Sequence, residues 1–210
     1  MTGLLTLMQW LSPAFPTGAF AYSHGLERVI AAGDVTDAHS MEHWLSNILT
    51  YGAGWQDALL LNAALDPNAD HAALDTLARA LQPSTERLRE SAEQGTALAR
   101  TVAALTGRSL APRLLPIALG EAAAPLALPP AQVTQLYLHS FASNLATIAT
   151  RAIPLGQTEG QGLLARLLPL IADLGTKAAH STIDDLGSAS LTADLAAMQH
   201  ETMDVRIFRT

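Results

Sequence analysis

Apolar residues return at three- and four-residue intervals through most of this chain, and proline or glycine repeatedly cuts the pattern. Between Thr36 and Trp55, Met41, Trp44, Leu45, Ile48 and Leu49 fall on one helical face, with Thr36 or Asp37 placed to cap its start. The same spacing predicts helices over Thr2–Leu11, Ser23–Ala32, Gln56–Leu65, Asp70–Leu81, Ser84–Leu105, Pro112–Ala123, Pro130–Arg151, Gly160–Leu174 and Ser188–Gln199. Breaks are expected at Gly33-Asp34, Asp66-Pro67, Gln82-Pro83, Gly107, the Pro125 to Pro130 stretch and the Ile153 to Gly162 segment. No two strand patterns exist to pair, so the chain reads as all-α, a single-domain bundle of roughly ten helices. The prolines near 116–130 separate segments of the same Ala/Leu texture with no long polar linker. Residues 1–199 therefore read as one helical domain, and 200–210 as a C-terminal recognition tail.

A chain of 210 residues can bury a sizeable core without a disulfide or metal. It is 49% hydrophobic and 15% charged, against roughly 25% charged in an average protein, which predicts an unusually apolar surface and favours a protein with partners. The net charge is −7 and Lys177 is the only lysine, so no basic stripe is available for nucleic acid. The absence of cysteine excludes thiol catalysis and thiolate metal sites, and makes the cytoplasm the simplest compartment. The first basic residue is Arg28, so the opening apolar stretch lacks the n-region of a signal peptide. No uncharged run approaches the ~18 residues of a membrane span.

The chemical motifs mostly fail on inspection. His39 and His43, at i and i+4, can place two imidazoles on one metal, but with no third ligand nearby they read as polar-face residues. "HETMD" begins like the zinc-protease motif H-E-x-x-H, yet Asp204 stands where the second histidine belongs, so His200 and Glu201 read as surface or contact residues. "GQTEGQG", Gly156 to Gly162, lacks the lysine and spacing of a phosphate loop. It reads as a turn in which Thr158 caps the next helix, with Gln161 completing a capping box. No G-x-S-x-G elbow occurs, Ser23 and His24 would diverge on a helix, and Asp184-Asp185 lies in a polar loop. By chemistry alone the chain is expected not to be an enzyme. In "LSPAFPTGAFAYSHGLE", Phe15, Phe20 and Tyr22 gather in a loop that could plug the core.

Three segments together resemble the UreF family of urease accessory proteins: "SPAFPTGAFAYSHGLE" near the start, "RAIPLGQTEGQGLL" in the last third and "HETMDVRIFRT" at the end. The resemblance covers about a fifth of the chain. It implies an all-helical, cytoplasmic homodimer without enzymatic activity. Such a scaffold binds the accessory protein called UreD or UreH, recruits the GTPase UreG through that complex, and serves nickel delivery to the urease apoenzyme. No cofactor of its own is implied, and scattered histidines without a thiolate predict no tight nickel site. The motif positions are Gly18, Tyr22, Ser23, Gly25 and Glu27; Pro154, Gly156, Gln157 and Gln161; and His200, Glu201, Thr202, Arg206, Phe208 and Arg209. Of these, Gly18, Tyr22, Ser23, Glu27, Gln157, Gln161, His200, Glu201, Arg206, Phe208 and Arg209 are the partner-binding candidates. The tail departs from the family's H-E-T-Q-Y-S-R-L-F-R-S at Met203, Asp204, Val205, Ile207 and Thr210.

Extended, the tail would alternate Val205 and Ile207 with Arg206 and Phe208 on opposite faces. It is expected to be mobile alone and ordered on a partner, burying Ile207 and Phe208 while each arginine meets a carboxylate. An alternative role for the same arginines is insertion in trans into the active site of UreG to promote GTP hydrolysis.

Overall fold

The computed structural model describes residues 1–210. Its α-helices are α1 (Thr2–Trp10), α2 (Leu26–Ala32), α3 (Ala38–Tyr51), α4 (Ala53–Ala64), α5 (His71–Ala80), α6 (Thr85–Thr106), α7 (Leu115–Ala123), α8 (Pro130–Ala152), α9 (Gln157–Ala178) and α10 (Leu191–His200). Short 3₁₀ turns lie at Ala19–Ala21, Ala124–Leu126 and Ile183–Asp185, and there is no strand. The all-α, single-domain reading of the sequence therefore holds. No helix is long and apolar enough to cross a membrane.

The caps explain the clearest starts. Asp37 accepts the Ser40 N–H at 2.8 Å while the Ser40 hydroxyl reaches back to the Asp37 N–H at 3.1 Å, a reciprocal cap for α3. Met41, Trp44, Leu45, Ile48 and Leu49 then form its buried face, as their spacing predicts, and His39 and His43 stay exposed. The predicted helix from Thr36 to Trp55 breaks at Gly52, whose φ of −121° and ψ of −143° leave the helical region; a Cβ there would lie 2.9 Å from that of Ser190, and the adjacent Tyr51 carbonyl accepts the Ala189 N–H.

α4 is buried nearly all round, from Gly54 through Leu61, which marks it as the central helix. It packs against α3, α7, α8 and α9. The longest contact is the antiparallel pair α8 and α9. At one end Gly160 meets Thr150, and at the other Gly175 meets Gln135 and Ala131, each approach too close for a β-carbon. One hydrophobic cluster runs from Leu7 in α1 to Phe208 near the end of the chain.

The 156–162 turn corrects one expectation. Helix α9 already begins at Gln157, its N-cap is Gly156, and no side chain caps it; Thr158 lies within the first turn and is exposed. The start of α2 is corrected as well: Ser23, His24 and Gly25 precede it as a buried turn in which His24 and Gly25 have φ of 58° and 76°.

Candidate functional site

The site is built where α2, α6 and α10 meet. Gly25 starts α2 in the left-handed region and lies against α10, where an added Cβ would stand 2.9 Å from the Ala197 nitrogen. Helix α6 carries Glu86, Glu90 and Glu93 at intervals of four and three, one acidic stripe toward this junction. Ser84 caps α6 by accepting the Arg87 N–H at 3.1 Å, and the Glu201 carboxylate accepts the Glu86 N–H at 3.0 Å. Glu201 thus places negative charge at the positive end of the α6 dipole.

His200, the last residue of α10, is fully buried rather than on the surface. Its Nδ1 lies 2.7 Å from Glu86 and its Nε2 lies 3.1 Å from Glu27. Both contacts are N–H···O bonds at once only in the imidazolium form. Glu86 also accepts from the Arg206 guanidinium at 2.6 Å. Glu27 accepts the Ile207 N–H at 2.8 Å and the Phe208 N–H at 3.0 Å. Burial opposes ionisation of Glu27, but the two tail amides and His200 together hold its carboxyl below the ordinary value.

The rest of the tail is tied to the N-terminal segment. The Arg209 N–H donates to the Ala21 carbonyl at 2.8 Å, and the Ser23 N–H donates to the Thr210 carbonyl at 2.8 Å, with the Ser23 hydroxyl donating to that same oxygen. The Thr210 hydroxyl donates to Glu90 at 2.8 Å. Glu93 gathers Arg209 at 3.1 Å, Arg89 at 2.7 Å and the Tyr22 hydroxyl, and the last two hold its carboxyl below the ordinary range.

Deeper in, Glu90 pairs with Arg87. Burial alone would raise the Glu90 carboxyl, but Arg87 and His24 outweigh it and lower it to about 2. Burial, reinforced by Arg87, lowers the His24 ring to about 4. Asp57 accepts from the Tyr137 hydroxyl at 2.5 Å, and burial raises its carboxyl to about 6. Burial and Asp57 likewise push the Tyr137 phenol upward.

The expected alternation in the tail is real, but its setting differs. Val205 and Ile207 are each 78% exposed, whereas Phe208 and Thr210 are buried in the chain's own body. Residues 201–210 form no strand and are held down rather than set apart, because a carboxylate on α2 supplies the acceptor that an extended mobile segment lacks. Within the chain itself Phe208 is buried, while Ile207 stays exposed and open to a partner. Both arginines have their carboxylates within the same chain.

Not every candidate joins this network. Gly18 shapes a turn with φ of 75°, and Gln157 and Gln161 are exposed on α9, where the Gln157 side chain bonds only Thr150. Phe15 and Tyr22 are buried but Phe20 is 68% exposed, so the aromatic cluster is divided between plug and surface. The α6 acids were the residues missed by motif reading, and their helical spacing was the available signal. No group of three or more His, Asp or Glu side chains is arranged to hold a metal ion.

Fold and site together define an all-α bundle whose last helix and closing segment are clamped by carboxylates of α2 and α6. A family model for UreF matches residues 35–168. The chain is similar to the urease accessory protein UreF of Cereibacter sphaeroides strain ATCC 17029, at 61% identity over 207 residues, covering 99% of this chain and 98% of that protein. It is 51% identical over 206 residues to the protein of that name from Paracoccus denitrificans, covering 98% and 95% of the two chains, and 45% identical over 207 residues to that from Roseobacter denitrificans, covering 98% and 93%. The chain belongs to the UreF family of urease accessory proteins.

Proposed function

We propose that this chain is a non-catalytic, cytoplasmic scaffold of urease maturation. It acts as a homodimer, binds the UreD/UreH-type accessory protein, and through that complex recruits the UreG GTPase. The assembly delivers nickel to the urease apoenzyme as cargo, without a nickel site in this chain. The observation that carries the reading is the posture of the closing segment: Phe208 and Thr210 are buried and Arg206 is paired with Glu86, while Val205 and Ile207, two residues apart, stand out as apolar prongs. An apolar pair fixed on a rigid platform is a low-entropy anchor for a partner. Engagement of both arginines by Glu86 and Glu93 supports a structural role for them over insertion into a GTPase active site.

The test is capture of a co-expressed UreD/UreH-type protein by the wild-type chain and by Ile207→Asp. Because Ile207 is exposed, the variant is expected to keep its melting temperature while capture falls at least tenfold, or by roughly 1.4 kcal/mol. Undiminished capture removes the tail from the interface, and failure of the wild-type chain to capture the protein at all overturns the scaffold reading.

A further inference from the structure

A cavity of about 310 Å³ opens between α1, α6, α7 and α8. Well-packed interiors rarely leave voids much larger than one water, and an apolar cavity of about 150 Å³ suffices for benzene. This one is twice that size and lies within the range of small-molecule pockets. Much of its wall is apolar, with Trp10, Leu11, Leu119, Phe141 and Leu145, and the exposed residues Met8, Phe20, His139 and Thr147 also line it, so it reaches the surface. Its polar lining includes Arg87, Glu90, His24 and Asp57, all buried.

The polar end is incompletely satisfied. Arg87 and His24 are each 4% exposed, yet Arg87 Nε and His24 Nδ1 have no hydrogen-bond partner in the protein. Buried polar atoms of this kind are ordinarily paired, and Arg87 Nε can only donate. Arg87 is already neutralised by Glu90, and Asp57 adds a further acid, so an anionic guest would meet carboxylates on entry. A carbonyl or amide oxygen can accept from the guanidinium without bringing charge.

We propose that this cavity binds a small neutral amphipathic molecule, with an aromatic or aliphatic body among Trp10, Leu119 and Phe141 and a carbonyl-type oxygen accepting from Arg87 beside His24. Neither Val205 nor Ile207 lines the cavity, so ligand binding here and the partner capture tested above are read separately.

The experiment uses the full chain and three ¹⁹F NMR probes of one size: 4-fluorobenzamide, 4-fluorobenzoate and 4-fluorotoluene. Saturable binding of the benzamide is expected, at least tenfold tighter than that of the benzoate or the toluene. Leu136→Trp, which fills the cavity from its half-buried wall, is expected to abolish it. Arg87→Met is expected to bring the benzamide down to the level of the toluene. Should Arg87→Met fail to fold, the probe series and Leu136→Trp still decide the matter. Absence of saturable benzamide binding, meaning a cavity filled by water only, overturns the proposal; so does equal binding of benzamide and toluene, or benzamide binding that survives Leu136→Trp.

Discussion

Glu27 shows how much a single carboxylate can organise. It receives two consecutive backbone N–H groups from the closing segment and one ring nitrogen of His200, partners up to 181 positions away in sequence. In Glu27→Gln one oxygen becomes a donor facing N–H groups, so at least one charge-assisted bond is replaced by a repulsive contact. A loss of about 2 kcal/mol is expected, concentrated in the tail: amide exchange at Ile207 and Phe208 should accelerate by roughly 30-fold, while exchange in α4 changes far less. Uniform acceleration would mean that the tail and core open together. His24 and Asp57 make a second case, through pH. Burial lowers the His24 ring from 6.5 to about 4, so its contribution is present above pH 6.5 and is lost as pH falls toward 4. Burial raises the Asp57 carboxyl from 3.8 to about 6, so stability is regained as pH falls through 6 toward 3.8. The two nearly cancel between pH 6.5 and 4.5. Below that, Glu90, lowered from 4.5 to about 2, loses its contribution uncompensated. Urea midpoints should therefore be flat to about pH 4.5 and then fall. His24→Asn, which tolerates the left-handed φ of 58°, should leave Asp57 unopposed, with stability rising by roughly 2 kcal/mol from pH 6.5 to 4.5; a profile parallel to wild type would rule out His24 as the counterweight.

At the scale of elements, the junction of α2 with α10 depends on Gly25 for two reasons that can be separated. Its φ of 76° disfavours any side chain, and a Cβ would press on the backbone of Ala196 and Ala197. Gly33 ends the same helix with φ of 82° but nothing near its missing side chain. Gly33→Ala is expected to cost about 1 kcal/mol, the conformational part alone, and Gly25→Ala at least about 3 kcal/mol, since the helices must also part. Equal losses in thermal melts would show that the α2–α10 contact yields easily. The contrast also shows what could be read beforehand. Helix faces such as Met41 to Leu49 were legible because amphipathic periodicity is local, and the cap was legible as Thr36 or Asp37, the choice falling to Asp37, whose partner Ser40 lies three residues away. The Thr158 cap failed because Gly156 already stands at the N-cap, which puts Thr158 inside the first turn. Ser23 to Gly25 resembled a helix start by composition, but the backbone there is committed to Thr210 and to α10, and no local pattern reports such a commitment. The α6 acids were visible at helical spacing, yet what they face was not.

For the whole molecule, the closing segment is structural before it is anything else. Deleting residues 206–210 removes Phe208 from the main core and Thr210 from Glu90, and it strips both amide donors from Glu27 and the guanidinium from Glu86. Losing the burial of Phe208 costs about 1.5–3 kcal/mol, and buried Glu90 with half-buried Glu27 and Glu86, left short of donors but reached by water, add about 1 kcal/mol each. The sum, about 4.5–6 kcal/mol, is a large share of the ~5–15 kcal/mol by which a domain is stable. A chain of this length should then melt roughly 10–20 °C lower, whereas the tail read from sequence alone would be removable without loss. A melting temperature unchanged within about 2 °C would show that the segment is not docked in the free protein. If the expected drop is found, loss of partner capture by the truncated chain cannot be assigned to a missing contact, since the platform formed by α2, α6 and α10 is disturbed with it. Val205 and Ile207 escape that ambiguity: nothing inside the chain depends on their side chains, so a capture defect in Ile207→Asp with an unshifted melting curve reports on the partner alone.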